Sequence, residues 1–326
     1  MKAIQIKEPG GADVLQLRDV EDLATPSVGQ AQVRLAVAGL NYVDVYRRNG
    51  TYLESLQLPF VLGQEGAGIV EAVGEEVETI KVGDRVAFCM ILGSYAEAIN
   101  IPADQLIPLP DDITFEQGAA FPLQGITAHY IVHDYVQLQP GKTILVHAAA
   151  GGVGLLVVQW AKHLGAQVIG TVSTKEKAEV VKKAGADAVI LYTEQDFVTE
   201  TKRLTAGRGA DLILDGVGRT TFAGSLEAAA IQGTVVSYGW TSGLPEAVVP
   251  TALITRSLRI AGGTIANAIT TREALLQRAN DVMAGIREGW LTLHIDSVLP
   301  LQDAAKAHQR LESRASIGKI LLRTAA

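Results

Sequence analysis

Along the first third of the chain, short apolar runs alternate with polar positions: Ala3 to Ile6, Val33 to Val37, Gly68 to Val73 and Arg85 to Phe88, punctuated by Pro-Gly, Gly-Gln and Gly-Asp pairs. A period of two puts one face of each run in a core, so this part predicts a compact β-rich domain. From about Gln124 the texture changes. Long helical patterns alternate with β-branched runs at Thr143 to His147, Gln167 to Thr171, Ala188 to Leu191, Leu212 to Leu214, Thr234 to Ser237 and Leu258 to Ala261. Six strands separated by helices predict an α/β domain with a doubly wound parallel sheet.

After Ala261 come two helical patterns, Thr271 to Glu288 and Leu301 to Ser313, then a closing strand, Gly318 to Leu322. Six strands already complete a parallel sheet of this type, so the tail is expected to return to the N-terminal domain. Residues 1–123 and 265–326 are therefore expected to form the β-rich domain and 124–264 the parallel-sheet domain. A ligand is expected in the cleft between them.

Composition removes several function classes. Of 326 residues, 48% are hydrophobic and 19% charged, which suits packed cores rather than disorder. The net charge of -7 comes without a Lys/Arg block, so neither nucleic acid nor a membrane surface is an expected partner. Cys89 is the only cysteine, which excludes an internal disulfide and a multi-thiolate metal site. Met1-Lys2-Ala3-Ile4 runs into an alternating pattern without an apolar h-region, so a cytoplasmic location is expected. The most apolar stretch, Ile144 to Leu164, is interrupted by His147, the glycines from Gly151 to Gly154, Gln159 and Lys162; it reads as strand, turn and helix rather than a membrane span.

That stretch carries the strongest chemical signal. Thr143-Ile-Leu-Val-His147 is followed by Ala148-Ala149-Ala150-Gly151-Gly152-Val153-Gly154 and then by a helical pattern. Strand, glycine turn and helix in that order form a dinucleotide site: Gly151 and Gly152 admit a pyrophosphate, the helix N-terminus supplies N–H donors, and Gly154 permits tight helix-to-strand packing. The bland alternative is a flexible turn in an α/β domain. About 20 residues on, where an NAD site places an acid, stand Val172, Ser173 and Thr174, then Lys175, Glu176 and Lys177. Hydroxyls and an ammonium suit a 2'-phosphate, which favours NADPH over NADH; the alternative is an ordinary capped helix start. His129 and His133 share a helical face at i, i+4, but no third metal ligand suggests itself, and a polar face is the reading taken.

Asn41-Tyr-Val-Asp44-Val-Tyr46-Arg-Arg48, Gly63-Gln64-Glu65-Gly66-Ala-Gly68, Val82-Gly-Asp-Arg85-Val86 and the run His147 to Gln159 resemble the zinc-independent, zeta-crystallin-like quinone oxidoreductases of the medium-chain dehydrogenase/reductase superfamily. The likeness extends to Ile269-Thr-Thr-Arg-Glu273 and Leu311-Glu-Ser-Arg-Ala315. It implies a GroES-like catalytic domain around a Rossmann domain, usually assembled as a homodimer. Zinc-dependent relatives carry Gly-His-Glu where this chain has Gly63-Gln64-Glu65, so no metal is expected. Hydride addition must then create a charge that conjugation already spreads, as in quinones and α,β-unsaturated carbonyls.

The resemblance also implies roles for residues. It puts Asn41, Asp44 and Tyr46 beside the nicotinamide and Tyr52 at the substrate pocket, with Asn41, Tyr46 and Tyr52 as catalytic candidates. Thr127 falls near the nicotinamide, Ala150, Gly151, Gly152, Val153 and Gly154 at the pyrophosphate, and Ser173, Lys177 and Tyr192 around the 2'-phosphate. Gly216, Val217, Gly239 and Trp240 complete the cofactor set. Each has a plainer alternative: Asn41 stabilising a turn, Asp44 pairing with Arg47 or Arg48, the tyrosines as packing residues. Trp240 and the pair Gly262-Gly263 depart from a close bacterial relative and suggest a narrower pocket and a more mobile hinge. The implied activity is hydride or electron transfer from NADPH to a quinone. The same fold reducing an enone, enal or acryloyl C=C bond is the rival, and a non-catalytic crystallin-like or RNA-binding role is a further one.

Overall fold

The structure, a computed structural model, describes residues 1–52 and 56–324. The chain groups into two compact units, Met1–Leu123 with Ile269–Ala279 and Leu293–Ala326, and Gln124–Ala268 with Asn280–Thr292. In chain order the first unit holds β1 (Lys2–Ile6), β2 (Gln16–Asp19), β3 (Gln30–Leu40), α1 (Tyr42–Arg48), β4 (Phe60–Val61), β5 (Glu65–Val73), β6 (Arg85–Cys89), β7 (Ala98–Pro102), β8 (Ile107–Pro108) and α2 (Phe115–Ala120). Helix α3 (Pro122–Asp134) leads on to β9 (Thr143–Val146), α4 (Gly152–His163), β10 (Gln167–Val172), α5 (Lys175–Lys183), β11 (Ala188–Leu191), α6 (Phe197–Leu204), β12 (Ala210–Asp215), α7 (Phe222–Ala228), β13 (Ala229–Ser237) and β14 (Arg259–Gly262). The tail comprises α8 (Ile265–Ala268), α9 (Arg272–Glu288), β15 (Ile295–Pro300), α10 (Ala304–Glu312) and β16 (Lys319–Arg323).

The first unit is β-rich, as its alternation implies. Among the described residues, one sheet has the order β2-β1-β4 and a larger one β15-β16-β3-β5-β6-β8, with β7 also on β3. The closing strand β16 lies antiparallel to β3, with Ile320 opposite Leu40, so the last strand completes a sheet begun at residues 30–40. Alternate residues of β3, β5 and β6, including Val33, Leu35, Val70, Val86 and Phe88, fill one core. Ile4, Ile6, Leu40, Tyr95, Ile320 and Leu322 fill a second, beneath Ala304 and Ala307 of α10. Strand β15 is not evident from the residue pattern, because Asp296 and Ser297 interrupt its apolar run.

In the second unit all strand pairs are parallel and the order is β11-β10-β9-β12-β13-β14. Numbered within this sheet it reads 3-2-1-4-5-6, the doubly wound dinucleotide-binding arrangement, whose switch point lies between its first and fourth strands, here β9 and β12. Ile144, Leu145, Val146, Leu212, Ile213 and Leu214 are all buried, which is why these strands read as unbroken apolar runs. The connection into β14 is a 3₁₀ helix, Pro250–Arg256, rather than an α-helix. Residues 280–292, expected with the tail, pack in this unit instead: Gly125 of α3 abuts Val282, and the Trp160 and Trp290 rings meet edge-on with centroids 5.2 Å apart. Gly262 and Gly263 stand against two tyrosines of the same unit. Tyr135 donates its hydroxyl to the Gly262 carbonyl at 2.8 Å, and a Cβ on Gly263 would strike the Tyr130 and Tyr135 rings. No helix among the described residues is long and apolar enough to cross a membrane.

Candidate active site

The glycine loop sits at the carboxyl end of β9, with Gly151 as the N-cap of α4. Of its glycines, Gly154 is the one that backbone contacts require. A Cβ on Gly154 would come within 2.5 Å of the Ala148 carbonyl oxygen and 2.8 Å of Ala149 Cα, so any side chain there would push the helix off the strand. At Gly152 a Cβ would overlap the Gln124 carboxamide, a neighbour that sequence reading missed. Ala150 is buried within the same turn, and Thr127 is buried on α3. A glycine N-cap, backbone N–H groups at a helix start and a parallel-sheet switch point are the features with which such folds can cradle a pyrophosphate.

Ser173 and Tyr192 directly follow β10 and β11 respectively, which end side by side, Val172 pairing with Leu191. Thr193 fastens the two ends by donating its hydroxyl to the Ser173 carbonyl at 3.1 Å. Lys177 stands in the first turn of α5, its amide donating to the N-cap Thr174 hydroxyl at 3.3 Å, so the capped helix start of the plainer reading is present too. Tyr192 is 43% exposed. No carboxylate occupies the last position of β10, which is Val172.

Gly216 and Val217 follow β12, and Asp215 organises them. Its Oδ1 accepts the amides of Val217 at 3.0 Å and Gly218 at 2.9 Å and the Thr221 hydroxyl at 2.8 Å. The segment with Gly239 and Trp240 is stitched to this turn: Thr241 N donates to Gly216 O at 3.1 Å, and Ser242 N to Val217 O at 2.8 Å. Asp215, wholly buried, was not singled out from sequence; its place at a strand end just before a glycine is the signal that would have found it.

In the first unit Asn41 ends the β3 segment and precedes α1. Its backbone amide donates to Asp44 Oδ2 at 2.8 Å, which closes the first turn of the helix. Its side chain belongs to a buried triad: Asn41 Nδ2 donates to Glu65 Oε2 at 2.8 Å, Lys319 Nζ donates to Asn41 Oδ1 at 2.8 Å, and Lys319 and Glu65 form an ion pair. Glu65 Oε1 also accepts the Leu123 amide at 2.6 Å. These bonds fix which end of the carboxamide is which. Gly39 makes the room, because a Cβ there would fall against the Ala119 carbonyl oxygen and the Glu65 and Lys319 side chains.

Asp44 faces inward and pairs with neither Arg47 nor Arg48. It is wholly buried, its Oδ2 also accepting the Tyr95 hydroxyl at 3.1 Å, while Oδ1 has no hydrogen-bond partner among the described residues. Burial pushes its carboxyl up to about 7, against the pull of the Asn41 amide, Lys319 and Tyr95. Arg48 instead holds Glu312 through two bonds of 2.7 and 2.8 Å and donates to His308 Nδ1 at 3.2 Å. Burial and that guanidinium lower His308 to about 3. Tyr46 is buried with its ring edge-on to Tyr42, centroids 5.2 Å apart, and Tyr52 lies beneath the Arg47 guanidinium at 4.5 Å. The two tyrosines share the turn after α1, the amides of Thr51 and Tyr52 both donating to the Tyr46 carbonyl.

The residues present do not suit zinc. Gln64 stands in the triplet, and Cys89, the only thiol in the chain, is buried with its pKa pushed well up by burial. Among the described residues no group of three or more His, Cys, Asp or Glu is placed to hold a metal ion. His129 Nε2 lies 2.9 Å from Asp281 and its ring packs with His133 and Trp160, a polar and aromatic face of the second unit.

Residues 27–111 match the family model described as the alcohol dehydrogenase GroES-like domain, and residues 152–281 the one described as zinc-binding dehydrogenase. The chain is 40% identical to a quinone oxidoreductase of Pseudomonas aeruginosa, over 98% of this chain and 99% of that protein. It is 36% identical to a 2-haloacrylate reductase of a Burkholderia species, over 98% of each. Among solved structures, Escherichia coli quinone oxidoreductase complexed with NADPH superimposes with a TM-score of 0.95 at 40% identity, over 99% of this chain and 100% of that one. With this identity over nearly the whole of both chains and this superposition, the chain belongs to the zinc-independent quinone oxidoreductase family of the medium-chain dehydrogenase/reductase superfamily.

Proposed function

We propose that this protein is an NADPH-dependent quinone reductase that works without a metal. The observation that carries the reading is the nucleotide end of the second unit: a glycine loop that tolerates no side chain at Gly154, and a β10 terminus offering Ser173, Lys177 and Tyr192 where a carboxylate would repel a 2'-phosphate. Bound NADPH would supply the hydride. Ala150 to Gly154 would hold the pyrophosphate by backbone N–H groups, Lys177 would neutralise the 2'-phosphate, and Thr127, Gly216, Val217, Gly239 and Trp240 would line the rest of the cofactor. Tyr46 and Tyr52, with Asn41 beside them, would face the reacting end, where a phenol can donate to the oxygen on which charge develops. Asp44, wholly buried and closing the turn from which α1 starts, would lie beside the nicotinamide and hold the Asn41 backbone in place.

A quinone spreads added charge by conjugation, so it needs no Lewis acid, which suits the residues at Gln64 and Cys89. The resemblance to a 2-haloacrylate reductase favours one second reading, reduction of a C=C bond conjugated to a carbonyl, with the same cofactor residues and a different acceptor. We further place the enzyme in the cytoplasm, in keeping with its single cysteine, and as a homodimer. Strand β14 ends the parallel sheet and Ile260 on it is 38% exposed, so the edge suits pairing with a second copy. The test is a titration of chelator-treated protein with NADPH and NADH, followed by nicotinamide absorbance on adding 1,4-benzoquinone or a small enone. NADPH-selective turnover with the quinone is expected. Turnover with the enone alone would transfer the assignment to the second reading, and absence of NADPH binding would overturn both.

A further inference from the structure

Four buried polar side chains meet at the carboxyl ends of three adjacent strands of the second unit. His147 directly follows β9, Thr171 lies next to the end of β10, Asp215 ends β12, and Ser225 is on α7. Thr171 Oγ1 is 3.0 Å from His147 Nδ1, Ser225 Oγ is 3.0 Å from His147 Nε2, and Ser225 Oγ is 2.7 Å from Asp215 Oδ2. The charge at one end orders the protons. The Asp215 carboxylate at 2.7 Å and the Thr221 carbonyl at 3.0 Å only accept, so Ser225 gives its single hydroxyl proton to one of them rather than to His147. The Ser225 oxygen then accepts from Nε2–H, and a neutral imidazole leaves Nδ1 to accept the Thr171 hydroxyl proton. Burial favours that neutral form, lowering the imidazole pKa against the pull of Asp215, and the Phe197 ring closes the site edge-on, 4.7 Å between centroids.

The chain of bonds joins two pieces of backbone. His147 opens the turn that runs through Ala148, at φ 49°, to Gly154, while Asp215 holds the amides of Val217 and Gly218. His147 also ties the strands directly, its amide donating to the Leu214 carbonyl at 3.1 Å. We propose that His147 is a positioning residue for dinucleotide binding: its imidazole, held as the Nε2–H tautomer, locks the glycine loop to the Gly216-Val217 turn so that both keep the shape the cofactor needs. This rests on the NADPH reading above and adds to it a residue that touches no cofactor atom.

The experiment measures NADPH affinity and turnover separately in the full-length protein. His147→Leu should raise the NADPH Kd by about tenfold or more while kcat at saturating NADPH stays within about twofold, since the reacting end is untouched. His147→Gln, whose side-chain N–H can still reach Ser225, should recover a good part of the loss. Nitrogen-15 NMR of the wild-type imidazole needs no variant to fold: it should show a protonated Nε2 and a bare Nδ1 at neutral pH. An Nδ1–H tautomer or an imidazolium would overturn the assignment, as would a His147→Leu protein with unchanged Kd. Wild-type protein that binds no NADPH would overturn the underlying reading as well, which separates the two failures.

Discussion

Lys319→Met is the most informative perturbation of the first unit. Lys319 is 2% exposed and Glu65 is not exposed at all, so solvent cannot screen what the substitution leaves behind. The variant strands a carboxylate that would keep only the Leu123 amide and the Asn41 carboxamide as partners. Breaking a buried pair by removing one member costs about 3–5 kcal/mol. At about 2–4 °C per kcal/mol for a unit of this size, the melting temperature should fall by about 6–20 °C. Glu65→Gln added to Lys319→Met removes the orphaned charge and should restore most of the loss, because a neutral, well-packed replacement of a buried pair is commonly tolerated. Thermal and urea unfolding of wild type, the single variant and the double variant settle it. A shift under about 2 °C in the single variant, or a double variant no more stable than the single, would refute the claim that an uncompensated charge carries the cost.

Three further outcomes follow from the geometry. Asp44 ionises near 3.8 when unfolded and near 7 when folded, so the native state holds the extra proton between those values, and stability is lost as pH rises through that window, by up to about 4 kcal/mol. Asp44→Asn should escape this loss, and its stability relative to wild type should climb from pH 4 to 7.5 in parallel melts; a constant difference would contradict the raised value. His308 has the opposite dependence, losing stability as pH falls from 6.5 towards 3, so the two must be separated by comparing variants rather than by reading the wild-type curve alone. Lys177→Ala should weaken NADPH by about tenfold or more and NADH hardly at all, measured by fluorescence titration, since only the 2'-phosphate loses a charge partner; equal losses would remove Lys177 from that site. Gly154→Ala should weaken both nucleotides and lower the melting temperature, because its Cβ meets backbone rather than a side chain that can turn aside; unaltered binding would show that the loop accommodates it.

Sequence periodicity revealed what is local. The β-branched runs locate all six strands of the parallel sheet, and the glycine loop announces itself within a dozen residues, because buried parallel strands and pyrophosphate turns each impose a short-range composition. Contacts across long separations were not legible. Lys319 and Glu65 stand 254 residues apart, and nothing around either residue marks it as half of a pair. Asp44 looked like a partner for its neighbours Arg47 and Arg48, yet the fold turns it towards Tyr95 and gives Arg48 to Glu312. Strand β15 and the packing of residues 280–292 were hidden for the same reason, since partners elsewhere in the chain decide them.

The union of β3 with β16 has a consequence for biosynthesis. Residues 124–268 are contiguous and can begin to pack as soon as they are made, whereas the larger sheet of the first unit lacks β16 until residues 319–323 emerge. At about 5–20 residues per second, the 254 residues separating Glu65 from Lys319 mean that the carboxylate waits about 10–50 s for its counter-ion. During that interval Glu65 has every reason to stay in water, and the half-built sheet keeps an open edge on β3. Arrival of the last strand closes the sheet and neutralises the charge in one event, so a nascent chain stalled before residue 319 should be recognised by chaperones as unfinished even though its nucleotide-binding half is already formed.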